Sequence, residues 1–370
     1  MVTLREKFRG CIAASWIGSA MGAAVEGWPR EKVRQTYGVL DRLVAYKHYT
    51  DCTDWLRLPG TTEDGIERQK LIATAVIERQ GRIKAEDLAA VWVRDLDPEK
   101  IIYKQEAFDK SLLDLARAGV PAAEIGRLWP FPNVVSLARS SHPLGLINAG
   151  DPRTAADDCH EVGQLYMRQT AFGVRWAALY NAAIAEACRP GATVESVVQT
   201  ALEYADYRAE ATRLFRLYDD IKDEIARAVA IAAGHTDPTA MREEFDKHYY
   251  GGAHFNYFQS QANEIVSKGL AVFALSRGDP KQAILTAVNF GRDTDCLAAV
   301  AGGLAGALSG SAAIPAEWKE QVNEATRRDP YTNNRRTIEE TADALFEAYL
   351  AQRRRTQKFL DEMSDPAYLA

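Results

Sequence analysis

The chain has 370 residues, of which 47% are hydrophobic and 26% are charged, and its formal net charge is −6. This composition is typical of a globular enzyme and excludes a disordered or fibrous chain, while the mild negative charge gives no reason to expect nucleic acid or an anionic membrane as a partner. The five cysteines are scattered without a C-x-x-C pair, which argues against a disulfide framework or a zinc knuckle and fits a reducing cytoplasm.

The first predicted element is a helix that contains an apolar run over residues 11–25. Basic residues precede this run, as in a secretory signal, but the run consists largely of Ala, Gly and Ser and is followed at once by Glu26. Because small residues let helices approach closely, we predict a buried and tightly packed helix. The sequence has no continuous apolar run of about 18 residues, so a transmembrane span is not expected.

Helical periodicity continues along the rest of the chain. Apolar residues at helical spacing, punctuated by turns that contain Pro and Gly, predict helices at about 65–79, 100–118, 154–188, 193–206, 209–233, 261–277, 280–288, 296–309, 316–327 and 336–363. Alternating runs of the kind that form strands are scarce, so the predicted fold class is all-α. No linker or repeat divides the chain, so we predict one compact multi-helix domain over residues 1–370, with a C-terminal helix and tail at about 336–370.

Two polar segments interrupt the apolar background just before a predicted helix. Residues 62–64 are Thr, Glu and Asp, and Asp293 and Asp295 precede a helix composed largely of Ala and Gly. A single carboxylate at such a position is ordinary helix capping. Two carboxylates beside a buried helix do not both stay ionised without a cation, and hydroxyl and carboxylate oxygens suit a hard ion such as Mg²⁺. We therefore predict a two-metal site, for Mg²⁺ or alternatively Mn²⁺, in which the two segments meet and the ligands are Thr62, Glu63, Asp64, Asp293 and Asp295.

Four segments carry a resemblance to a known family. They cover residues 18–26, 62–64, 143–152 and 288–310, and the last contains Gly-x-Asp-Thr-Asp followed by Ala-Gly-Gly-Leu-Ala-Gly-Ala. Together these segments resemble the ADP-ribosylglycohydrolase family, which includes the hydrolase that reverses ADP-ribosylation of dinitrogenase reductase. The resemblance implies an all-α, Mg²⁺-dependent hydrolase that cleaves a glycosidic bond at the anomeric carbon of a ribose.

The resemblance also implies a role for each acidic segment. The turn at 62–64 matches one half of a binuclear ligand set, and Asp293 and Asp295 match the other half. Glu26 matches a glutamate that approaches the ribose and the metal pair. On this basis catalysis is expected from Glu26, Glu63, Asp64 and Asp293.

Several positions depart from the family pattern. Ser19 stands where the family has an acidic residue, and Cys296, a poor ligand for Mg²⁺, stands where it has a hydroxyl-bearing residue. A loop that helps to place the substrate is replaced by residues 139–142, so an ADP-ribosyl adduct and a smaller N-ribosyl compound are both candidate substrates. An alternative is a catalytically silent member that binds ADP-ribose or a related ligand, or that serves structurally.

Candidate substrate contacts lie in two further segments. Ser141 and His142 belong to the replaced segment and are candidates to contact phosphate or another substrate group. A loop at 251–257 offers His254, Phe255 and Tyr257 for stacking on a ring, with packing of the aromatic groups on the core as the alternative. The expected partner is a ribosylated small molecule or an ADP-ribosyl adduct, and the altered segment favours a pocket for the more compact compound.

Overall fold

The fold is built from helices, and the computed structural model describes residues 2–48, 55–208, 221–249 and 260–364. Within these ranges extended pairing is limited to two isolated bridges, between Tyr46 and Arg57 and between Val134 and Gln261, so the predicted all-α class is confirmed. The helices in chain order are α1 Leu4–Gly22, α2 Arg30–Tyr37, α3 Asp64–Arg79, α4 Ala85–Asp95, α5 Ile101–Lys104, α6 Ala107–Arg117, α7 Ala122–Ile125, α8 Ser136–Ser140, α9 His142–Ile147, α10 Pro152–Val162, α11 Phe172–Ala187, α12 Val194–Tyr204, α13 Ile221–Ala233, α14 Pro238–Tyr249, α15 Ala262–Leu275, α16 Pro280–Val288, α17 Thr294–Ser309, α18 Ala316–Arg328 and α19 Ile338–Met363.

Two long predicted helices are divided in the structure. The helix predicted at 100–118 becomes α5 and α6, because a new N-terminus forms where Asp109 Oδ2 accepts the Glu106 backbone N–H at 3.2 Å. The helix predicted at 154–188 becomes α10 and α11, and the connection is held by His160, whose Nδ1 lies 2.8 Å from the Gln169 carbonyl oxygen. Helices α8 and α9 were not predicted, since five or six residues give too little periodicity to recognise.

Helices α1 and α17 form the centre of the domain. Helix α17 packs against α1, α16, α15, α11 and α8, while α1 also contacts α19, α16 and α18. The buried apolar side chains of these helices join one continuous core. The prediction that the first helix is buried and tightly packed is therefore confirmed, since α1 is buried along most of its length.

Glycines set the spacing and the direction of the α1–α17 pair. A Cβ built on Gly10 would lie 2.4 Å from the Gly306 carbonyl oxygen, and a Cβ on Gly18 would lie 2.4 Å from the Ala298 carbonyl oxygen. Near the end of α1, a Cβ on Gly22 would lie 2.5 Å from the carbonyl oxygen of Thr294. As the position on α1 rises the position on α17 falls, so the helices are antiparallel, and the C-terminus of α1 lies beside the N-terminus of α17.

This contact leads to the first testable expectation. Replacing Gly306 by Ala places a Cβ 2.1 Å from the Gly10 carbonyl oxygen, and this backbone contact has no flexible side chain that could yield. We expect the free energy of unfolding, measured by urea denaturation, to fall by about 2–3 kcal/mol. Gly234→Ala is the matched control, because its Cβ would meet only ordinary contacts at 3.5 Å. Equal stability of the two variants would contradict the packing argument.

Two further observations concern membrane-spanning character and the cysteines within the described residues. None of the helices described in the structure combines the length and the apolar character that a bilayer crossing requires. The cysteines within the described ranges, Cys11, Cys159, Cys188 and Cys296, are buried free thiols.

Candidate metal centre

The antiparallel register of α1 and α17 brings the segment after α1 to the loop before α17. The Gly27 N–H donates to the Arg292 carbonyl oxygen at 2.8 Å, and the Arg292 N–H donates to the Trp28 carbonyl oxygen at 2.8 Å. Gly291 and Arg292 both have positive φ angles, of 85° and 67°. A Cβ on Gly291 would lie 2.6 Å from the Arg30 nitrogen, so glycine is required for this close approach. Glu26 is thereby fixed beside Asp293.

Asp293 and Asp295 stand at the N-terminus of α17. Asp293 caps the helix, because its Oδ1 accepts the Cys296 N–H at 3.3 Å, and Asp295 lies in the first turn. Both side chains are buried. The positive end of the helix dipole stabilises negative charge at this position, but one helix end is too weak to compensate two buried carboxylates.

The second acidic segment is held from both sides at the start of α3. Glu63 caps α3, since its Oε1 accepts the Gly65 N–H at 3.1 Å and also the Ser19 hydroxyl at 3.2 Å. Lys104 Nζ donates to the Thr62 carbonyl oxygen at 2.5 Å. Tyr46 donates its hydroxyl to the Thr61 carbonyl oxygen at 2.9 Å. The backbone of the turn is therefore fixed, and Ser19, which replaces an acid of the family pattern, now orients a carboxylate.

The structure brings the two segments together as predicted, although about 230 residues separate them in the chain. Ligand atoms of Glu63, Asp64 and Asp295 lie within 4.8 Å of one another, and those of Asp293, Asp295 and Cys296 form a second such group. Asp295 belongs to both groups. Thr62 is buried in the same turn as Glu63, and its carbonyl oxygen is the atom that Lys104 contacts.

Three buried oxygens in this centre have no hydrogen-bond partner among the residues that the structure describes. They are Glu63 Oε2, Asp293 Oδ2 and Asp295 Oδ1. A buried carboxylate oxygen without a partner is costly, and a cation is the partner that satisfies several of them at once. The donor set is rich in carboxylate oxygen and poor in nitrogen, so the residues present fit a hard divalent ion such as Mg²⁺.

The shifts in the pKa values of the acids indicate an excess of buried negative charge in this centre. Burial, together with the charges of Asp64 and Asp295, raises the pKa of Glu63 well above its usual value. Burial and Glu26 raise the pKa of Asp293 to about 6, and the same two causes raise the pKa of Asp295 well above its ordinary value. Asp64 moves the other way, because the guanidinium groups of Arg139 and Arg68 outweigh its burial and lower its pKa. More negative charge is buried here than the protein's own cations neutralise.

Glu26 lies at the mouth of the centre and pairs with His48. The His48 Nε2 is 2.9 Å from Glu26 Oε2, and both residues line a cleft of about 40 Å³ together with Arg57, Tyr103 and Glu63. Burial, followed by the charge of Glu63, raises the pKa of Glu26 well above its ordinary value. A glutamate of this kind, facing a cleft, has the properties of a general base or acid near neutral pH.

The predicted substrate contacts Ser141 and His142 lie in the protein interior. His142 Nδ1 is 2.9 Å from Gln69 Nε2, and His142 Nε2 is 3.2 Å from the Ala299 carbonyl oxygen. Ser141 Oγ accepts an N–H from Asn181 at 2.5 Å. Burial lowers the pKa of His142 to about 4, so the ring is neutral at pH 7. These contacts favour a structural role for both residues, and their part in substrate binding stays a prediction.

The other predicted substrate contacts, His254, Phe255 and Tyr257, lie outside the described residues.

Two residues lie in the centre although the sequence did not predict them as members of it. Arg139 belongs to the segment that replaces the family's substrate-placing loop, but its side chain lies among the carboxylates. His48 belongs to no recognisable sequence motif, and it is the contact with Glu26 that places it at the centre.

A larger groove of about 610 Å³ lies elsewhere on the molecule and shares no lining residue with the acidic centre. It includes Asn148 and Asp151 from the segment at 143–152. Three arginines line it, Arg79, Arg82 and Arg355, and Arg82 is paired with Asp158 at 2.6 Å. The groove is therefore separate from the chemistry that the carboxylates support.

Comparisons with known proteins agree with this fold. The ADP-ribosylglycohydrolase family model matches residues 1–355. The Escherichia coli protein YegU, which is named as uncharacterized, is 24% identical over 335 residues, or 88% of this chain and 94% of YegU. An uncharacterized protein of Archaeoglobus fulgidus is 25% identical over 354 residues, or 94% of this chain and 98% of its own length. A solved ADP-ribosylglycohydrolase-related protein complex matches the fold with a TM-score of 0.63 at 19% identity, over 94% of this chain and 100% of the matched chain.

Proposed function

The chain belongs to the ADP-ribosylglycohydrolase family, and from this membership we propose that it is a Mg²⁺-dependent hydrolase that cleaves the bond between the anomeric carbon of a ribosyl group and its leaving group. The observation that carries the proposal is the set of three buried carboxylate oxygens, on Glu63, Asp293 and Asp295, that have no hydrogen-bond partner among the described residues. Such a set is expensive in a protein that binds no cation and useful in one that does.

The acids of the two turns would hold the metal. The ligands predicted from the sequence are Thr62, Glu63 and Asp64 at the start of α3 and Asp293 and Asp295 at the start of α17, and Glu63, Asp293 and Asp295 are the ones with buried oxygens that lack a hydrogen-bond partner among the described residues. When bound, Mg²⁺ or Mn²⁺ would orient the ribose hydroxyls and a water molecule and would lower the pKa of that water, while the carboxylates would stabilise the positive charge that develops at the anomeric carbon. The fixed backbone of both turns supports this role, because a metal site requires ligands that are already positioned.

Glu26 is the proposed general base. As the water oxygen bonds to the anomeric carbon and the bond to the leaving group breaks, one water proton passes to the Glu26 carboxylate, and the leaving nitrogen or oxygen takes a proton from solvent water. The contact of His48 Nε2 with Glu26 Oε2 at 2.9 Å holds this carboxylate toward the cleft. Its buried position beside other acids raises its pKa, which increases its basicity.

A catalytically silent binding protein is the second candidate, and the replaced residues Ser19 and Cys296 favour it. Both have specific contacts, since Ser19 donates to Glu63 and the Cys296 thiol lies 3.5 Å from Asp295 Oδ2. Neither contact removes a carboxylate from the centre, which keeps five of them. The five are Glu26, Glu63, Asp64, Asp293 and Asp295. A hydrolase therefore remains the preferred function. Release of free ribose or ADP-ribose that requires Mg²⁺ and stops with a chelator separates the two, because a silent member would bind the ligand without turnover.

The groups around the cleft support a compact ribosyl substrate over an ADP-ribosylated protein. Arg139 is engaged by carboxylates, and Ser141 and His142 are buried, so the segment at 139–142 offers no exposed group to a diphosphate. The basic residues that line the cleft are also in use. Arg57 donates to the Tyr103 carbonyl oxygen at 3.0 Å, and Lys104 contacts Thr62.

The substrate class has a direct test. We expect kcat/KM for simple N-ribosides to exceed that for ADP-ribosyl-arginine or an ADP-ribosyl-serine peptide under identical Mg²⁺ concentrations. A tenfold difference corresponds to about 1.4 kcal/mol of transition-state stabilisation. A tenfold preference in the opposite direction would overturn the proposed substrate size and would leave the proposed reaction in place.

We further propose a cytoplasmic location and no nucleic acid as partner. The buried free thiols fit a reducing compartment. The net charge of −6 gives no attraction to a polyanion. Fractionation of cells and a filter-binding assay with DNA and RNA would test the two statements.

A further inference from the structure

The guanidinium group of Arg139 occupies the middle of the acidic centre, where only 5% of the side chain is exposed. Nη2 donates to Asp64 Oδ2, and Nη1 donates to the Cys296 thiol at 3.0 Å. Nη1 also lies 3.8 Å from Glu63 Oε2 and 3.7 Å from Asp295 Oδ2. A permanent cation of the protein therefore contacts both acidic turns, in the space where their ligand atoms converge.

Arg139 does not engage the two ligand groups equally. All three acids of the first group, Glu63, Asp64 and Asp295, lie within ion-pair distance of its nitrogens. In the second group, Asp293 Oδ2 and Asp295 Oδ1 are buried and have no hydrogen-bond partner among the described residues. Arg139 also reaches Asp295 and the Cys296 thiol of the second group, so the difference lies at Asp293, for which the described residues provide neither a hydrogen-bond partner to Oδ2 nor an ion pair with Arg139.

Asp64 has the contacts of a counter-ion. Its Oδ2 accepts hydrogen bonds from Arg139 and from Arg68 Nη1, the latter at 2.6 Å. Two charged donors on one oxygen leave it little capacity to bind a metal ion.

The position of Arg139 is built into the surrounding helices. A Cβ on Gly65 would lie 2.9 Å from Arg139 Cδ and 3.2 Å from its Nε, so the absence of a side chain at the start of α3 makes room for the arginine. Helix α8, which carries Arg139, packs against α3, α11 and α17. The arginine is therefore enclosed by the same helices that carry the carboxylates.

We propose that Arg139 takes the place of one of two divalent cations, so that the centre binds a single metal ion held by Asp293, Asp295 and Glu63. The proposal rests on the proposed function only in that both concern the same centre. A guanidinium stays protonated at all accessible pH values, and a second dication within a few ångströms of it would be repelled strongly in a buried site. Asp64 then anchors the arginine and does not ligate the ion.

The stoichiometry of metal binding tests the proposal without any measurement of catalysis. Mn²⁺ is added to the full chain as the probe, and bound and free ion are separated by equilibrium dialysis and counted by electron paramagnetic resonance. We expect one Mn²⁺ per wild-type chain and two per Arg139→Met chain, because Met has similar length and no charge. Two tightly bound ions in the wild type, or one ion in both chains, would overturn the proposal.

A second pair of variants separates the roles of the acids and remains informative if Arg139→Met does not fold. Asp64→Asn is expected to keep Mn²⁺ affinity within about threefold of the wild type, whereas Asp293→Asn is expected to lose more than about 100-fold. A loss of tenfold or more in Asp64→Asn would make Asp64 a ligand and overturn the proposal. If the wild type binds one ion and hydrolyses no substrate, the single-ion proposal holds and the proposed function fails. If it binds two ions and hydrolyses the substrate, the proposed function holds and the single-ion proposal fails.

Discussion

Asp293→Asn is expected to lower the affinity for Mg²⁺ by more than about 100-fold and to lower kcat/KM in parallel at subsaturating metal. Replacing a group that only orients a ligand typically costs 10–100-fold, so loss of a charged ligand should cost more. Asn caps helices as well as Asp does, so the contact with the Cys296 N–H is retained and the loss reports the carboxylate charge. Calorimetric titration with Mg²⁺, followed by kinetics, measures both effects.

Asp279→Asn is the matched control for this variant. Asp279 caps α16 in the same way that Asp293 caps α17, since its Oδ1 accepts the Gln282 N–H at 3.0 Å, but it lies at an exposed helix end. We expect no change in metal affinity or turnover for Asp279→Asn. Equal Mg²⁺ affinities of Asp293→Asn and the wild type would exclude Asp293 as a ligand.

Glu26→Gln is expected to lower kcat by about 10²–10⁴-fold while leaving Mg²⁺ affinity within a few fold of the wild type. Gln keeps the volume of Glu and a hydrogen bond with His48, but it has no basic oxygen to take the proton of the water. Kinetics at saturating Mg²⁺ isolate this step, because a fall in kcat at full metal occupancy reports chemistry rather than binding.

Asp293→Asn is the control for Glu26→Gln, because it replaces a proposed metal ligand. If calorimetry shows that Glu26→Gln loses as much Mg²⁺ affinity as Asp293→Asn, then Glu26 is a ligand and not a base, and the distinction between the two roles fails. If kcat is unchanged, another group accepts the proton. His48→Ala provides a further reference, since its loss should affect the orientation of Glu26 and not its basicity.

Much of the fold could be predicted because its signals are local or periodic. Apolar spacing predicted most of the long helices, and the small residues of α1 and α17 indicated close packing before the contact of Gly10 with Gly306 was visible. The errors lay in the short helices α2, α7, α8 and α9, where the periodic signal is weak, in the break at Glu106, and in α4 and α14, which were not predicted although they span 11 and 12 residues.

Some features of the candidate site could likewise be predicted from the sequence, and others are visible only in the structure. The sequence by itself determined that two acidic turns each precede a helix, and the chemistry of buried carboxylates predicted that they meet and share a cation. Their meeting follows from the antiparallel register of α1 and α17 and from the position of α3. Only the tertiary structure decided where Arg139 points and that Ser141 and His142 face the interior, because the direction of a side chain depends on helices that pack from distant parts of the chain. For the same reason no local pattern reveals that His48 pairs with Glu26, or that a protein cation stands among the ligands.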